Sequence, residues 1–268
     1  MLWNAKNETV VFPDGEMDCI RFGTGEKSLV MLPGLGDGLR TTKGTALPMA
    51  AMYRRFSKDF TVWAFSRKTP VPAGYTTRDM ARDLKEAMDY LNIPKAHLLG
   101  VSMGGMISQH FAADYPEKVD RLVLVVTAAR RNPVLESCVR EWMEQARQDD
   151  HPALMDSNLR LIYSDSYYQK NKKAVPVIAR LTKPDSYDRF LHQAQACLTH
   201  DAFHRLNTIT APTLVLGGEQ DRVLGGDASR EIADRIPGAV LKMYPQWGHG
   251  LYEEAEDFQQ VVIEFLKD

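Results

Sequence analysis

The chain has 268 residues, 44% hydrophobic and 25% charged, with a formal net charge of −2. That length can bury a substantial core, and the composition is ordinary for a globular protein. The near-balanced charge gives no electrostatic reason to expect a nucleic acid or an anionic membrane as partner. No run approaches the roughly 18 apolar residues of a membrane span, and the opening MLWNAKNETV lacks the apolar core of a signal peptide. The three cysteines, Cys19, Cys138 and Cys197, form no CxxC pair. They read as buried thiols in a reducing compartment, with a cytoplasmic location as the default.

In chain order, strands are predicted at Thr9–Phe12, Met17–Phe22, Leu29–Leu32 and Thr61–Phe65. A helix follows at Thr77–Leu91, opening on Thr77 and Asp79, with Pro94 just past its end. The strand Ala96–Gly100 leads into a helix at Met103–Tyr115, closed by Pro116, and then the strand Val119–Thr127. Residues 122–126 are continuously apolar, as in a strand buried on both faces. From about Ala128 to Asn207 strand-like runs nearly vanish, and Tyr, Met, Trp, Arg and Gln rise. The alternation then resumes with the strand Thr213–Gly217, the helix Ala228–Ile236, the strand Val240–Tyr244 and the helix Glu256–Leu266. This pattern predicts the α/β class: a mostly parallel eight-stranded sheet with helices on both faces. Residues 1–127 and 208–268 are expected to form the core domain, with 128–207 inserted as a helical cap.

The strongest chemical signal is Gly100-Val-Ser102-Met-Gly104. Alone the pattern is weak; its place between a predicted strand and a predicted helix makes it specific. A serine on such a sharp turn is pushed out at the carboxyl edge of the sheet. A serine hydroxyl needs a base within hydrogen-bond reach. Of the seven histidines, His249 lies between two glycines on the loop after the strand Val240–Tyr244. His97 and His110 fall inside a strand and a helix, and His151, His192, His200 and His204 fall in the insertion. Asp221, on the loop after the strand Thr213–Gly217, is the candidate acid that fixes the histidine tautomer. The order Ser, Asp, His is the one that accompanies a nucleophile elbow.

With these motifs, Leu32-Pro-Gly-Leu-Gly36 and Gly248-His249 included, the chain resembles the α/β-hydrolase superfamily from about Val11 to Leu266. The resemblance implies the α/β-hydrolase fold, with an oxyanion hole made by the backbone N–H groups of Leu35 and Met103. Pro33 stands where the family usually has histidine, and Phe65–Tyr75 departs from the common Asp-x-Arg-Gly-x-Gly pattern. Ser102 disfavours members that use an aspartate nucleophile.

Other signals are set aside. Gly34-Leu-Gly36-Asp-Gly38 lacks the spacing of a dinucleotide loop. His200 and His204 have a metal-ligand spacing but no third ligand. Tyr163, Tyr167 and Tyr168 read as cap packing. No metal or organic cofactor is required.

The expected reaction is two-step acyl transfer on a small-molecule substrate. Ser102 attacks, His249 moves the proton, and the Leu35 and Met103 amides hold the oxyanion. Trp142, with Met143, Met155 and Phe190 in the cap, and Trp247 beside His249 are candidates for an apolar substrate pocket. Carboxylesterase is the first choice, because it asks least of the cap. Carbon–carbon bond hydrolase, amidase and lactonase activities would use the same triad. A receptor on the same scaffold is the reading from another class. The sequence does not separate a monomer from a homo-oligomer.

Overall fold

The structure is a computed structural model that describes residues 2–268. Eight strands form one sheet: β1 (Lys6–Phe12), β2 (Gly15–Gly23), β3 (Lys27–Leu32), β4 (Phe60–Phe65), β5 (Ala96–Val101), β6 (Val119–Val125), β7 (Thr213–Gly218) and β8 (Val240–Tyr244). Their spatial order is β1-β2-β4-β3-β5-β6-β7-β8. β1 and β2 pair antiparallel, as do β2 and β4; every later pair is parallel.

The period-two alternation of a strand explains the unbroken apolar runs. In β6, Leu122 and Leu124 join one hydrophobic cluster, while Val123 and Val125 join the cluster on the other face. The first cluster is covered by α2 (Thr77–Tyr90), α3 (Met103–Asp114) and α9 (Asp227–Arg235). The second is covered by α1 (Ala46–Met52), α10 (Leu251–Glu254) and α11 (Phe258–Lys267). α2 starts at Thr77 as expected, but the capping side chain belongs to the residue before it: Thr76 Oγ1 accepts from the Asp79 N–H at 3.1 Å, and Asp79 Oδ2 accepts from the Thr76 N–H at 3.0 Å.

Between β6 and β7 the chain runs through α4 (Pro133–Arg147), α5 (His151–Ile162), α6 (Asp165–Asn171), α7 (Val175–Thr182) and α8 (Asp188–Leu198). Buried side chains of α4 and α8, among them Leu135, Trp142, Phe190 and Ala194, are continuous with the cluster under α2 and α3.

All eight predicted strands form. β6 ends at Val125 rather than Thr127, because Val126 turns to φ 40° and leaves the extended path. The last predicted helix, Glu256–Leu266, is realised as Phe258–Lys267 behind the separate short α10. α1 is not anticipated; it has no side-chain cap and carries a proline in its first turns.

His97, His110 and His200 are buried. Burial lowers their pKa values from 6.5 to about 4, about 4 and about 3 respectively. Each stays neutral in the fold and protonates in the unfolded chain below its ordinary pKa. Their contribution to stability is therefore complete above about pH 6.5 and is lost as the pH falls. Urea unfolding should show stability dropping steeply between pH 6.5 and 4, and His200→Asn should make that slope shallower. An unchanged slope in the variant would contradict this account.

Candidate active site

Ser102 sits between the end of β5 and the start of α3, at φ 54° and ψ −120°. A non-glycine residue there is strained by roughly 1–3 kcal/mol, and the surroundings must hold it. They do so through its own backbone. The Ser102 N–H donates to the Val125 carbonyl at 2.9 Å. Its carbonyl accepts from the Gly105 N–H at 2.9 Å and from Thr127 Oγ1 at 2.7 Å. The flanking glycines are required sterically: a Cβ on Gly104 would collide with the Leu32 carbonyl, and one on Gly100 would lie 2.6 Å from the Gly104 carbonyl oxygen.

His249 and Asp221 meet across two loops at the same edge of the sheet. His249 Nδ1 lies 2.8 Å from Asp221 Oδ2, and both residues are buried. Asp221 Oδ1 accepts from the backbone N–H groups of Val223 and Leu224 at 2.8 and 2.9 Å. An ionised carboxylate only accepts, so this arrangement puts the proton on Nδ1 and leaves Nε2 as the acceptor. The glycines beside His249 answer close approaches. A Cβ on Gly248 would lie 2.8 Å from the Gln220 carbonyl oxygen, and one on Gly250 would lie 2.8 Å from the Tyr163 ring.

Ser102, His249 and Leu35 line one cavity of about 440 Å³. The Pro33–Gly34 loop crosses beside the serine: a Cβ on Gly34 would sit 3.3 Å from Ser102 Cβ and 3.7 Å from its Oγ. Leu35 opens the 3-10 turn Leu35–Gly38, and Met103 opens α3. N–H groups at helix starts have no intrahelical partner and suit an anion.

That loop is anchored by a buried polar hub. Asp37 Oδ2 accepts from Arg189 Nη2 at 2.6 Å, from the Arg67 N–H at 3.1 Å and from Gln193 Nε2 at 3.2 Å. Arg67 Nη2 donates to the Pro33 carbonyl at 2.5 Å. Arg189 and Gln193 belong to α8, so a single carboxylate ties the inserted helices to the loop beside Ser102.

Of the two tryptophans expected in the pocket, Trp142 lines the cavity. Trp247 does not: it packs against the cluster holding Leu251 and Phe258, and its carbonyl accepts from the Gln220 N–H. The sequence reading missed Met49, Tyr53, Arg40, Tyr252 and Glu253 as cavity lining. Tyr252 and Glu253 carried a usable signal, since they follow His249 within one helical turn. Burial pushes the Glu253 carboxyl above its ordinary range, opposed by a hydrogen bond from Tyr163 Oη at 2.7 Å. His200 is not offered to solvent as one of a metal-binding pair; it is hydrogen bonded to Thr77 Oγ1 at 2.9 Å.

A family model of the α/β-hydrolase fold matches residues 27–256. The chain belongs to this family. Among curated relatives, it is 31% identical over 257 residues to a 2-hydroxy-6-oxononadienedioate/2-hydroxy-6-oxononatrienedioate hydrolase of Burkholderia vietnamiensis (strain G4 / LMG 22486), spanning 91% of this chain and 88% of that protein. It is 27% identical over 195 residues to a putative carbamate hydrolase of Caulobacter sp. (strain K31), spanning 72% and 73% of the two chains. In structure it is similar to the enol-lactonase from Burkholderia xenovorans LB400, with TM-score 0.83, 23% identity and coverage of 97% and 100%. The names of these proteins refer to a hydroxy-oxo-dienedioate, a carbamate and an enol lactone.

The Asp37 hub makes a direct prediction. Asp37→Ala strips the carboxylate from the largely buried Arg189 guanidinium and from the Arg67 N–H, and should lower unfolding free energy by about 3 kcal/mol. Asp37→Asn, which keeps an acceptor oxygen, should cost less. Urea denaturation measures both, and a loss below about 0.5 kcal/mol for Asp37→Ala would remove the hub from the account.

Proposed function

We propose that this α/β-fold hydrolase acts by acyl transfer from Ser102, and that its substrate is a small ketone cleaved at the carbon–carbon bond beside the carbonyl. The observation that carries the chemistry is the opening of Ser102 and the Asp221-held His249 into one cavity. The bond class is supported by relatives 31% and 30% identical over 91% of the chain, named as hydrolases of 2-hydroxy-6-oxononadienedioate, a ketone that has no ester or amide bond to hydrolyse.

In this reading His249 Nε2 takes the Ser102 proton as Oγ bonds to the carbonyl carbon. The amides of Leu35 and Met103 stabilise the oxyanion. A dienol substrate reacts as its 2-oxo tautomer, in which the leaving carbon is saturated. On collapse the carbon–carbon bond breaks and its electron pair goes to that carbon, delocalised through the adjacent alkene onto the 2-oxo oxygen. That carbon takes the proton from His249. Water, deprotonated by the same imidazole, then attacks the acyl group and restores Ser102. Asp221 stabilises the imidazolium throughout. Residues 128–207 act as the cap that closes the cavity over the substrate.

The cavity narrows the substrate further. Its walls are mainly apolar, and its ionisable lining besides His249 and tyrosine is Arg40, Asp37 and Glu253. The substrates in the names of the relatives at 31% and 30% identity are dioates, which carry two carboxylates. Among the described residues Arg40 is the one cation in this lining, and Asp37 is already bonded to Arg189, so the lining suits a substrate with at most one anionic end. The same apolar lining also favours a second reading, an ester or lactone hydrolase using the same three residues.

A side-by-side assay separates the two. A monoanionic 2-hydroxy-6-oxodienoate, an enol lactone and p-nitrophenyl esters from acetate to laurate are compared on the wild type and on Ser102→Ala. The ketone should give a kcat/KM at least tenfold above the best ester, and Ser102→Ala should lose on the order of 10⁴-fold or more. An ester or lactone preferred tenfold would replace the carbon–carbon reading. No turnover above the Ser102→Ala background on any of them would overturn hydrolysis itself.

A further inference from the structure

The overall charge of −2 conceals a strong local asymmetry. Residues 166–184 hold five cations, Lys170, Lys172, Lys173, Arg180 and Lys183, and no carboxylate. They span α6, a 3-10 turn at Lys172–Ala174 and α7. Lys183 pairs with Asp149 at 2.6 Å. Lys172 lies over the Tyr168 ring at 5.9 Å. Among the described residues, Lys170, Lys172, Lys173 and Arg180 have no carboxylate partner.

The same segment carries an unusual apolar face. In α7, Val175 and Ala179 are buried inward, while Val177 and Leu181 are 61% and 76% exposed. Helical geometry puts Val177 and Leu181 on the outward side, with Ile178, 43% exposed, and Arg180 flanking them. α7 packs on α5, whose Asn158 and Ile162 line the cavity on the other side. α7 is thus the outer layer of the inserted helices.

We propose that α6 and α7 form a docking surface for an anionic lipid bilayer. Exposed aliphatic side chains beside unpaired lysines and arginine match a surface that is apolar below and negative above. A second copy of the chain fits worse, because a two-fold contact would bring two cationic patches together. No helix among the described residues is long and apolar enough to cross a membrane, so the contact is peripheral. Such docking seats the outer cap on the bilayer with the cavity beneath it, and it stands independently of the bond that Ser102 cleaves.

The test is co-sedimentation of the full chain with phosphatidylcholine vesicles, with and without about 30% phosphatidylglycerol. Binding should need the anionic lipid and weaken between about 0.1 and 0.5 M salt. Replacing Lys170, Lys172 and Lys173 by alanine should weaken it roughly a hundredfold, at about fivefold per cation. Val177→Ser with Leu181→Ser should weaken it by about tenfold or more. All these positions are exposed, and unchanged thermal melting confirms that the variants fold. No binding to anionic vesicles, or binding that survives both variants, overturns the proposal. So does self-association that Leu181→Asp abolishes in a chain that ignores vesicles, which would make α7 an interface between copies.

Discussion

The whole site depends on one strained residue. Ser102 is held at positive φ because β5 delivers it into a space that only small neighbours leave open. Gly104 lets α3 press against the end of β3, and Gly100 lets the turn close on Ser108 and Gly104. The backbone hydrogen bonds of Ser102 reach β6 and α3, so the sheet itself fixes the serine. The position of the hydroxyl is therefore a property of the strand order, with β5 at the centre between β3 and β6.

From that point the other parts follow by proximity. The loop after β3 passes beside Ser102, and the loops after β7 and β8 bring Asp221 and His249 to the same edge. The inserted helices are bound to this edge twice. Asp37 ties α8 to the loop carrying Leu35. On the opposite side, the Gly250 N–H donates to the Ile162 carbonyl at 2.6 Å, and Ser164 Oγ donates to Glu254 Oε1 at 2.6 Å. The geometry around the serine and the seating of the helices above it are thus coupled through buried or half-buried polar contacts.

Much of this is legible in the residues because local and global preferences agree. The apolar run Leu122–Val125 is a strand buried on both sides, and Asp79 marks the start of a helix at Thr77, although the side chain that caps it is Thr76. Gly-Val-Ser-Met-Gly marks the turn because no bulkier sequence fits it. What escapes is set by tertiary packing. Trp247 is next but one to His249 in sequence, yet its backbone is engaged by Gln220 and its ring packs away from the cavity. Met49 and Tyr53 reach the cavity only because α1, a helix with weak local signals, lies against it. The cationic stretch at 166–184 was visible in the sequence, but a whole-chain charge averages it away. The carboxylesterase preference came from asking least of the cap. The relatives' names shift weight toward substrates other than simple carboxylic esters.

The central claim is that the strained turn presents an activated serine. It is tested most directly by treating the chain with a fluorophosphonate probe and mapping the adduct by peptide mass spectrometry. The account predicts one stoichiometric adduct on Ser102 that disappears in His249→Ala. An unlabelled protein, or an adduct on a different residue, would contradict it.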